Sequence, residues 1–259
     1  MSLPFRRKRF GQHFLTDRAI IHLIIELIDP RPTDHLVEIG PGRGALTASM
    51  VKKGMFLSVI EIDRNLAAIV SKEFGHHPNF KLHVEDALKI DYSMVARSKS
   101  IRVIGNLPYN ISTPLILKLA DQGRLIEDMT FMLQKEVVDR LAARPGTKDY
   151  GRLSVMVQSQ GQVEPSFEVP PTAFAPPPKV TSKLVRITPQ LQTLSTAGRS
   201  HLESSVRTAF GQRRKTIKNT LGKVIPHDVL EACDIGLMRR PEEIEVAAYV
   251  RLAQLMCEV

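Results

Sequence analysis

Asn106-Leu107-Pro108-Tyr109 puts an amide, a fixed backbone turn and a phenol at one place in the chain. An amide oxygen accepts a hydrogen bond from an exocyclic amine, and a phenol ring beside it can stack on a nucleobase. The pair suits an enzyme acting on the amino group of a base. The lead-in Ile101, Val103 and Ile104 is β-branched and reads as a buried strand stopping at Gly105. Ser112-Thr113-Pro114 then opens an apolar helix, with a cap residue ahead of an early proline. Asn106 and Tyr109 are thus expected at the mouth of a strand-to-helix turn, where open α/β sheets bind ligands. Taken alone, the tetrapeptide is equally an ordinary turn.

A second constellation narrows the chemistry. Gly40-Pro41-Gly42-Arg43-Gly44 falls between a strand over 35–39 and a helix over 45–53. Missing side chains there let a ligand approach backbone N–H groups. Glu61 closes the next strand, about 20 residues beyond Gly40, where a carboxylate accepts both ribose hydroxyls. Asp86 closes the third strand and could take the amine of an adenine. Together these imply an adenosine-containing cofactor. The glycines run G-x-G-x-G rather than G-x-G-x-x-G, no hydride-transfer set accompanies them, and Glu38 could attract an ammonium. S-adenosylmethionine is therefore preferred to a nicotinamide dinucleotide.

These residues need a scaffold, and the pattern supplies one. Strands over 35–39, 56–62, 80–84, 101–105 and 129–133 alternate with helices over 16–29, 45–53, 64–74 and 135–143. The stretch 153–159 and a strand over 183–187 follow. Polar residues gather where strands end, the pattern of a doubly wound parallel sheet. Five prolines between Val169 and Pro178 stiffen a loop around Phe174. A Gln/Thr/Ser/Gly-rich linker follows Pro189, and helices are expected over 201–210, 213–222, 227–233 and 242–256.

Composition restricts the partners. Lys and Arg outnumber Asp and Glu by 36 to 27, a net charge of +9 that favours a polyanion. The basic residues cluster at Arg6-Arg7-Lys8-Arg9 and at Arg213, Arg214, Lys215 and Lys218, which makes nucleic acid the leading partner. A solvated surface is the plainer account of the same charges. Apolar runs are too short to span a bilayer, and no apolar block with a cleavage site follows the basic N-terminus. Cys233 and Cys257 have no ligand spacing, and His76-His77 lacks a matching cluster, so no metal and no membrane are expected. A cytoplasmic protein acting as a monomer is the expectation.

Five segments carry a family resemblance. They are Gly11-Gln12-His13-Phe14-Leu15, Glu38-Ile39-Gly40-Pro41-Gly42, Glu61-Ile62-Asp63, Asn106-Leu107-Pro108-Tyr109-Asn110-Ile111-Ser112 and Phe174-Ala175-Pro176-Pro177-Pro178-Lys179-Val180. As a set they resemble the rRNA adenine N6,N6-dimethyltransferases, and Gln134-Lys135-Glu136 with the Phe174 loop is similar to the small-subunit (16S) branch. The resemblance runs from about residue 8 to the C-terminus. It implies a Rossmann-like class I S-adenosylmethionine-dependent methyltransferase fold over 1–189, with a small all-α rRNA-binding domain over 190–259.

It also implies dimethylation of N6 on two adjacent adenosines in a loop near the 3′ end of small-subunit rRNA, within a pre-30S particle. The cofactor would touch His13, Leu15, Gly40, Glu61, Asp86 and Asn106, joined by Glu38 and Gly42 from the residue reading. Many relatives have Asn where this chain has His13, and a neutral imidazole is expected beside a sulfonium. Asn106 and the Pro108 carbonyl would hold the reacting amine, with Tyr109 and Phe174 clamping the base. Other readings are a non-catalytic assembly factor of the same fold and a methyltransferase of large-subunit rRNA or DNA adenine.

Overall fold

The structure, a computed structural model, describes residues 13–96, 100–190 and 194–257, and only the backbone of Tyr109 and Asn110. The cluster Arg6 to Arg9, Gly11, Gln12 and the Tyr109 side chain lie outside the described residues.

In chain order the elements begin β1 (Phe14–Leu15), α1 (Arg18–Ile28), β2 (His35–Ile39), α2 (Thr47–Val51), β3 (Phe56–Ile60), α3 (Arg64–Phe74) and β4 (Phe80–His83). Next come α4 (Tyr92–Ala96), β5 (Ile101–Asn106), α5 (Tyr109–Ala120), β6 (Ile126–Gln134), α6 (Lys135–Leu141) and α7 (Arg152–Gln158). The chain continues through β7 (Gly161–Val169), β8 (Phe174–Ala175), β9 (Ser182–Pro189), α8 (Thr196–Phe210), α9 (His227–Ala232) and α10 (Val246–Leu255). The strands over 161–169 and 174–175 have no counterpart in the sequence reading. The first carries Pro165 and two glutamates and the second is only two residues long, so neither shows an apolar alternation.

Seven strands form one sheet in the order β4-β3-β2-β5-β6-β9-β7. The pairs β3–β4, β2–β3, β2–β5 and β5–β6 are parallel, and β6–β9 is antiparallel. Every residue of β2 is buried, as expected of a central strand covered on both faces. The strand order reverses between β2 and β5. Their carboxyl ends, Ile39 and Asn106, therefore flank the crevice where such sheets take ligands.

Local chemistry explains the helix starts. Asp17 caps α1 by accepting from the Ala19 and Ile20 N–H groups at 2.9 and 3.1 Å, and Asp63 caps α3 through Asn65 at 2.8 Å. At the far end of β5, buried Arg102 bonds Asp34 at 2.7 Å, Asp128 at 2.9 Å and the Ile28 carbonyl at 2.6 Å. Its charge is offset by two carboxylates, which fastens the end of α1 to β5 and β6.

Two expectations around β5 change. The strand does not stop at Gly105 but continues to Asn106, and α5 starts at Tyr109, leaving Ser112 to Pro114 inside the helix. Gly105 is there for space: a Cβ on it would stand 2.5 Å from the Ile39 carbonyl oxygen. Pro108, with φ −59° and ψ 135°, is the cap position and turns the chain into the helix without a side-chain bond.

The chain divides into two compact units, Met1–Val138 with Glu164–Pro189, and Asp139–Val163 with Gln190–Val259. The boundary expected at 189 alone thus misses residues 139–163. The reason is that α7 buries Val155 and Val157 against α8, a partner that arrives later in the sequence. In this second unit Tyr150 donates to the Ile244 carbonyl at 2.9 Å and Tyr249 to the Pro241 carbonyl at 3.1 Å. Ser195 caps α8 through the Gly198 N–H at 3.1 Å, so part of the expected linker is helical.

The helix expected over 213–222 is a turn followed by the short 3₁₀ segments Ile217–Asn219 and Leu221–Lys223. Its backbone donors go elsewhere: Ile217 and Lys218 N–H bond the Arg239 and Leu237 carbonyls, both at 2.8 Å. The Thr220 hydroxyl competes for the carbonyls of Thr216 and Ile217. No helix among the described residues is long and apolar enough to cross a membrane.

Candidate active site

The loop after β2 depends on glycine. Gly40, Gly42 and Gly44 have φ of +67°, +59° and +82°, conformations that L side chains rarely adopt. At two of them a neighbouring ring would also have to shift to admit a side chain. A Cβ on Gly42 would meet the Phe14 ring at 3.0 Å, and one on Gly44 the Phe74 ring at 2.5 Å.

Two acids stand at the ends of β2 and β3. Glu38 is 2% exposed, and its Oε2 accepts from the Thr47 hydroxyl at 2.6 Å. Burial pushes its carboxyl up to about 7, against the Thr47 bond and with help from Glu61. Glu61 is 5% exposed, and its Oε1 accepts from the Asp63 N–H at 2.8 Å. Burial raises its carboxyl as well, while the backbone N–H groups of Asp63, Ile62 and Gly42 favour the ionised form. The carboxylate expected to meet a ribose thus reaches the glycine loop. Thr47 went unnoticed in the sequence, where it reads as an ordinary helix residue.

Asp86 is half-buried, and its Oδ1 accepts from the Leu88 N–H at 2.9 Å, leaving the other oxygen to a ligand. Ile62 and Val84, beside the acids that end β3 and β4, are each 52% exposed. Apolar side chains left open near strand-end carboxylates are what a flat apolar ring would cover. Their visible signal was position alone, one residue from an acid.

The N-terminal segment joins this set. The Asn106 amide nitrogen donates to the His13 carbonyl at 3.3 Å, so its oxygen is left to accept. The ring Nδ1 of His13 stands 2.8 Å from the Pro176 carbonyl, which can only accept, so Nδ1 carries the proton. Leu15 is buried and pairs with Phe174 across the β1–β8 ladder, and Arg43 stacks over the Phe14 ring at 4.8 Å. His13, Leu15, Gly40, Gly42, Glu61 and Asn106 therefore come together from positions up to 93 residues apart.

Two expected roles do not fit their surroundings. Phe174 is 5% exposed and packs in the apolar cluster with Leu15, Ile24, Val169 and Ala173, so it presents no open ring for stacking. In the second unit, Arg213 bonds Glu242 at 2.5 Å and the Lys148 carbonyl at 2.7 Å. That guanidinium holds its own unit together. Arg214, Lys215 and Lys218 are exposed.

The model of the ribosomal RNA adenine dimethylase family matches residues 5–257. The chain belongs to that family. As a member of the ribosomal RNA adenine dimethylases it is an rRNA adenine dimethyltransferase with S-adenosylmethionine as its cofactor. It is 51% identical over 255 residues to the ribosomal RNA small subunit methyltransferase A of Pseudomonas savastanoi pv. phaseolicola, covering 97% of this chain and 95% of the relative. The protein of the same name from Pseudomonas aeruginosa is 50% identical, with 98% and 95% covered. Among solved structures, a dimethyladenosine transferase from Plasmodium falciparum matches with a TM-score of 0.80 at 26% identity, covering 95% of this chain and 98% of that one. The 23S rRNA methyltransferase ErmE matches at 0.71 and 26%, covering 93% and 98%.

The residues of this rRNA adenine dimethylase suit the cofactor. A buried acceptor at Glu61, an open acceptor on Asp86 and a loop with three left-handed glycines would hold its ribose, adenine and amino-acid portions.

Proposed function

We propose that this enzyme dimethylates N6 of two adjacent adenosines in a loop near the 3′ end of small-subunit rRNA. The reading rests most on Asn106, held at the switch point with its amide nitrogen occupied and its oxygen aimed to accept. The half-identity to small subunit methyltransferases A over nearly the whole chain supports the small subunit over the large. A pre-30S particle as substrate, a monomeric enzyme and a cytoplasmic location go with this reading.

An adenine N6 is a poor nucleophile because its lone pair is conjugated into the ring. S-adenosylmethionine, when bound, supplies an electrophilic methyl group. The work of the chain is to hold the amine. The Asn106 oxygen and the Pro108 carbonyl accept its two N–H bonds, which localises the lone pair and directs it. The Pro108 carbonyl already takes the Ile111 N–H at 3.2 Å and keeps a second lone pair for this purpose. The target base must leave its stack to reach such a place, and the Tyr109 ring is assigned to cover it. No general base is required, since the alkylated ammonium is acidic enough to lose its proton to water. Phe174 acts by seating Leu15, and Arg214, Lys215 and Lys218 contact phosphates, which position the RNA without reading its bases.

Mass mapping of methylated adenosines on small-subunit rRNA, after incubation of unmodified subunits with enzyme and labelled cofactor, tests this. Two adjacent dimethyladenosines near the 3′ end are expected. Label on large-subunit rRNA or on DNA instead, or no label on any of the three, would overturn it.

A further inference from the structure

One cation lies outside the constellation described above, yet is bonded into the loop that carries Asp86. Lys118, in the last turn of α5, donates from Nζ to the Leu88 carbonyl at 2.9 Å and to the Ile90 carbonyl at 2.8 Å. It also stands 5.2 Å from the centroid of the Tyr92 ring, and the Tyr92 hydroxyl donates to the Ala87 carbonyl at 3.0 Å. Carbonyls at 87, 88 and 90 are thus gripped by side chains of α4 and α5.

Leu88 is the link. Its N–H holds Asp86 Oδ1 at 2.9 Å, and its carbonyl accepts from Lys118. One peptide unit further along the chain therefore transmits the position of Lys118 to the carboxylate. A charge-assisted bond is stronger than a neutral one, and a lysine with two carbonyl partners has little freedom left. The same helix is capped by Pro108, one of the residues assigned to the target amine. A rigid α5 ties the spacing of that place to the spacing of the Asp86 loop.

We infer that Lys118 is a positioning residue for the cofactor, fixing the Asp86 carboxylate where it recognises the 6-amino group of the adenine. The inference rests on the assignment of Asp86 to the adenine. Removing the ammonium loosens the loop and costs selectivity for adenine over a 6-oxo purine. Charge on Lys118 never meets the reacting atoms.

The test compares binding of S-adenosylhomocysteine with that of S-inosylhomocysteine, which carries an oxo group in place of the amine. Lys118→Met should reduce the preference for the adenine compound by about tenfold and raise the KM for S-adenosylmethionine, with a smaller change in kcat. Lys118→Arg should restore much of the preference. A general loss of stability would weaken both compounds alike and leave their ratio untouched. If Lys118→Met does not fold, Lys118→Gln retains N–H donors without the charge and should show the same loss in weaker form.

Asp86→Ala separates the two assignments. If Asp86→Ala abolishes the preference and Lys118→Met leaves it at the wild-type ratio, the role of Lys118 is wrong and Asp86 stands. If Asp86→Ala itself keeps the preference, the assignment of Asp86 fails and takes the Lys118 role with it. In the doubly substituted protein, no further loss beyond Asp86→Ala is expected, because the lysine acts through the carboxylate.

Discussion

The Asn106 side chain donates to the backbone carbonyl of His13 at 3.3 Å, joining the end of β5 to a segment that precedes it by 93 residues. The bond occupies the amide nitrogen and leaves the oxygen to accept. The residue proposed to meet the reacting amine is thus oriented by the backbone just ahead of β1.

Asn106→Ala should lower methyl transfer by about a hundredfold or more, the loss typical of one transition-state donor or acceptor. RNA affinity should stay close to wild type. Single-turnover transfer with saturating cofactor is the measurement, and a rate within tenfold of wild type would remove Asn106 from the amine.

Glu61→Ala should weaken S-adenosylmethionine binding by about 1.5–3 kcal/mol, because two hydroxyls would lose a charged acceptor. Calorimetry reads this directly. The buried carboxylate already takes the Asp63 N–H, so an unaltered affinity in a folded variant would mean the acid serves only its own loop.

Glu38 gives a pH signature. Burial raises its carboxyl from the ordinary 4.5 to about 7, so between those values the folded chain keeps a proton that the unfolded chain has released. Stability without cofactor should therefore fall as pH rises through that window, by up to about 3 kcal/mol from this group. Glu38→Gln keeps an acceptor for Thr47 and should flatten the fall. Urea denaturation at the two ends of the window measures it, and parallel curves for the two proteins would refute the buried proton.

The basic segment of the second unit should split into two kinds of residue. Arg213→Ala removes bonds to Glu242 and the Lys148 carbonyl, so it should lower Tm. Replacing Arg214, Lys215 and Lys218 with Ala should leave Tm nearly unchanged and weaken binding to the ribosomal substrate. Each lost phosphate contact should flatten the log–log salt dependence by about 0.7–0.9. Equal slopes for variant and wild type would mean that these charges only solvate the surface.

Phe174→Leu should retain most activity, since an apolar side chain still fills the place beside Leu15, whereas Phe174→Ala should cost about 3–5 kcal/mol of stability. A folded Phe174→Leu protein with unchanged cofactor affinity but no transfer would instead restore the ring to a stacking role.

The alternating sheet, the glycine loop and the acids at strand ends were legible in the sequence because each is written locally. Apolar periods mark the strands, glycines mark left-handed backbone, and Glu61 and Asp86 fall where strands stop. Asn106 and Pro108 were legible for the same reason, in a single tetrapeptide between a strand and a helix. What the sequence could not show is which distant groups meet. Thr47 on Glu38, His13 on Asn106 and Lys118 on Leu88 are through-space bonds with no short-range pattern. Gly105 read as a stop, and only the neighbouring Ile39 carbonyl shows it to be a matter of space. Phe174 was assigned from its proline-rich loop and the resemblance, and Arg213 from its basic cluster, whereas burial and bonding partners depend on how segments far apart in the chain pack. The grouping of residues 139–163 with the C-terminal helices has the same origin: a helix joins whichever surface covers its apolar face, wherever in the sequence that surface lies.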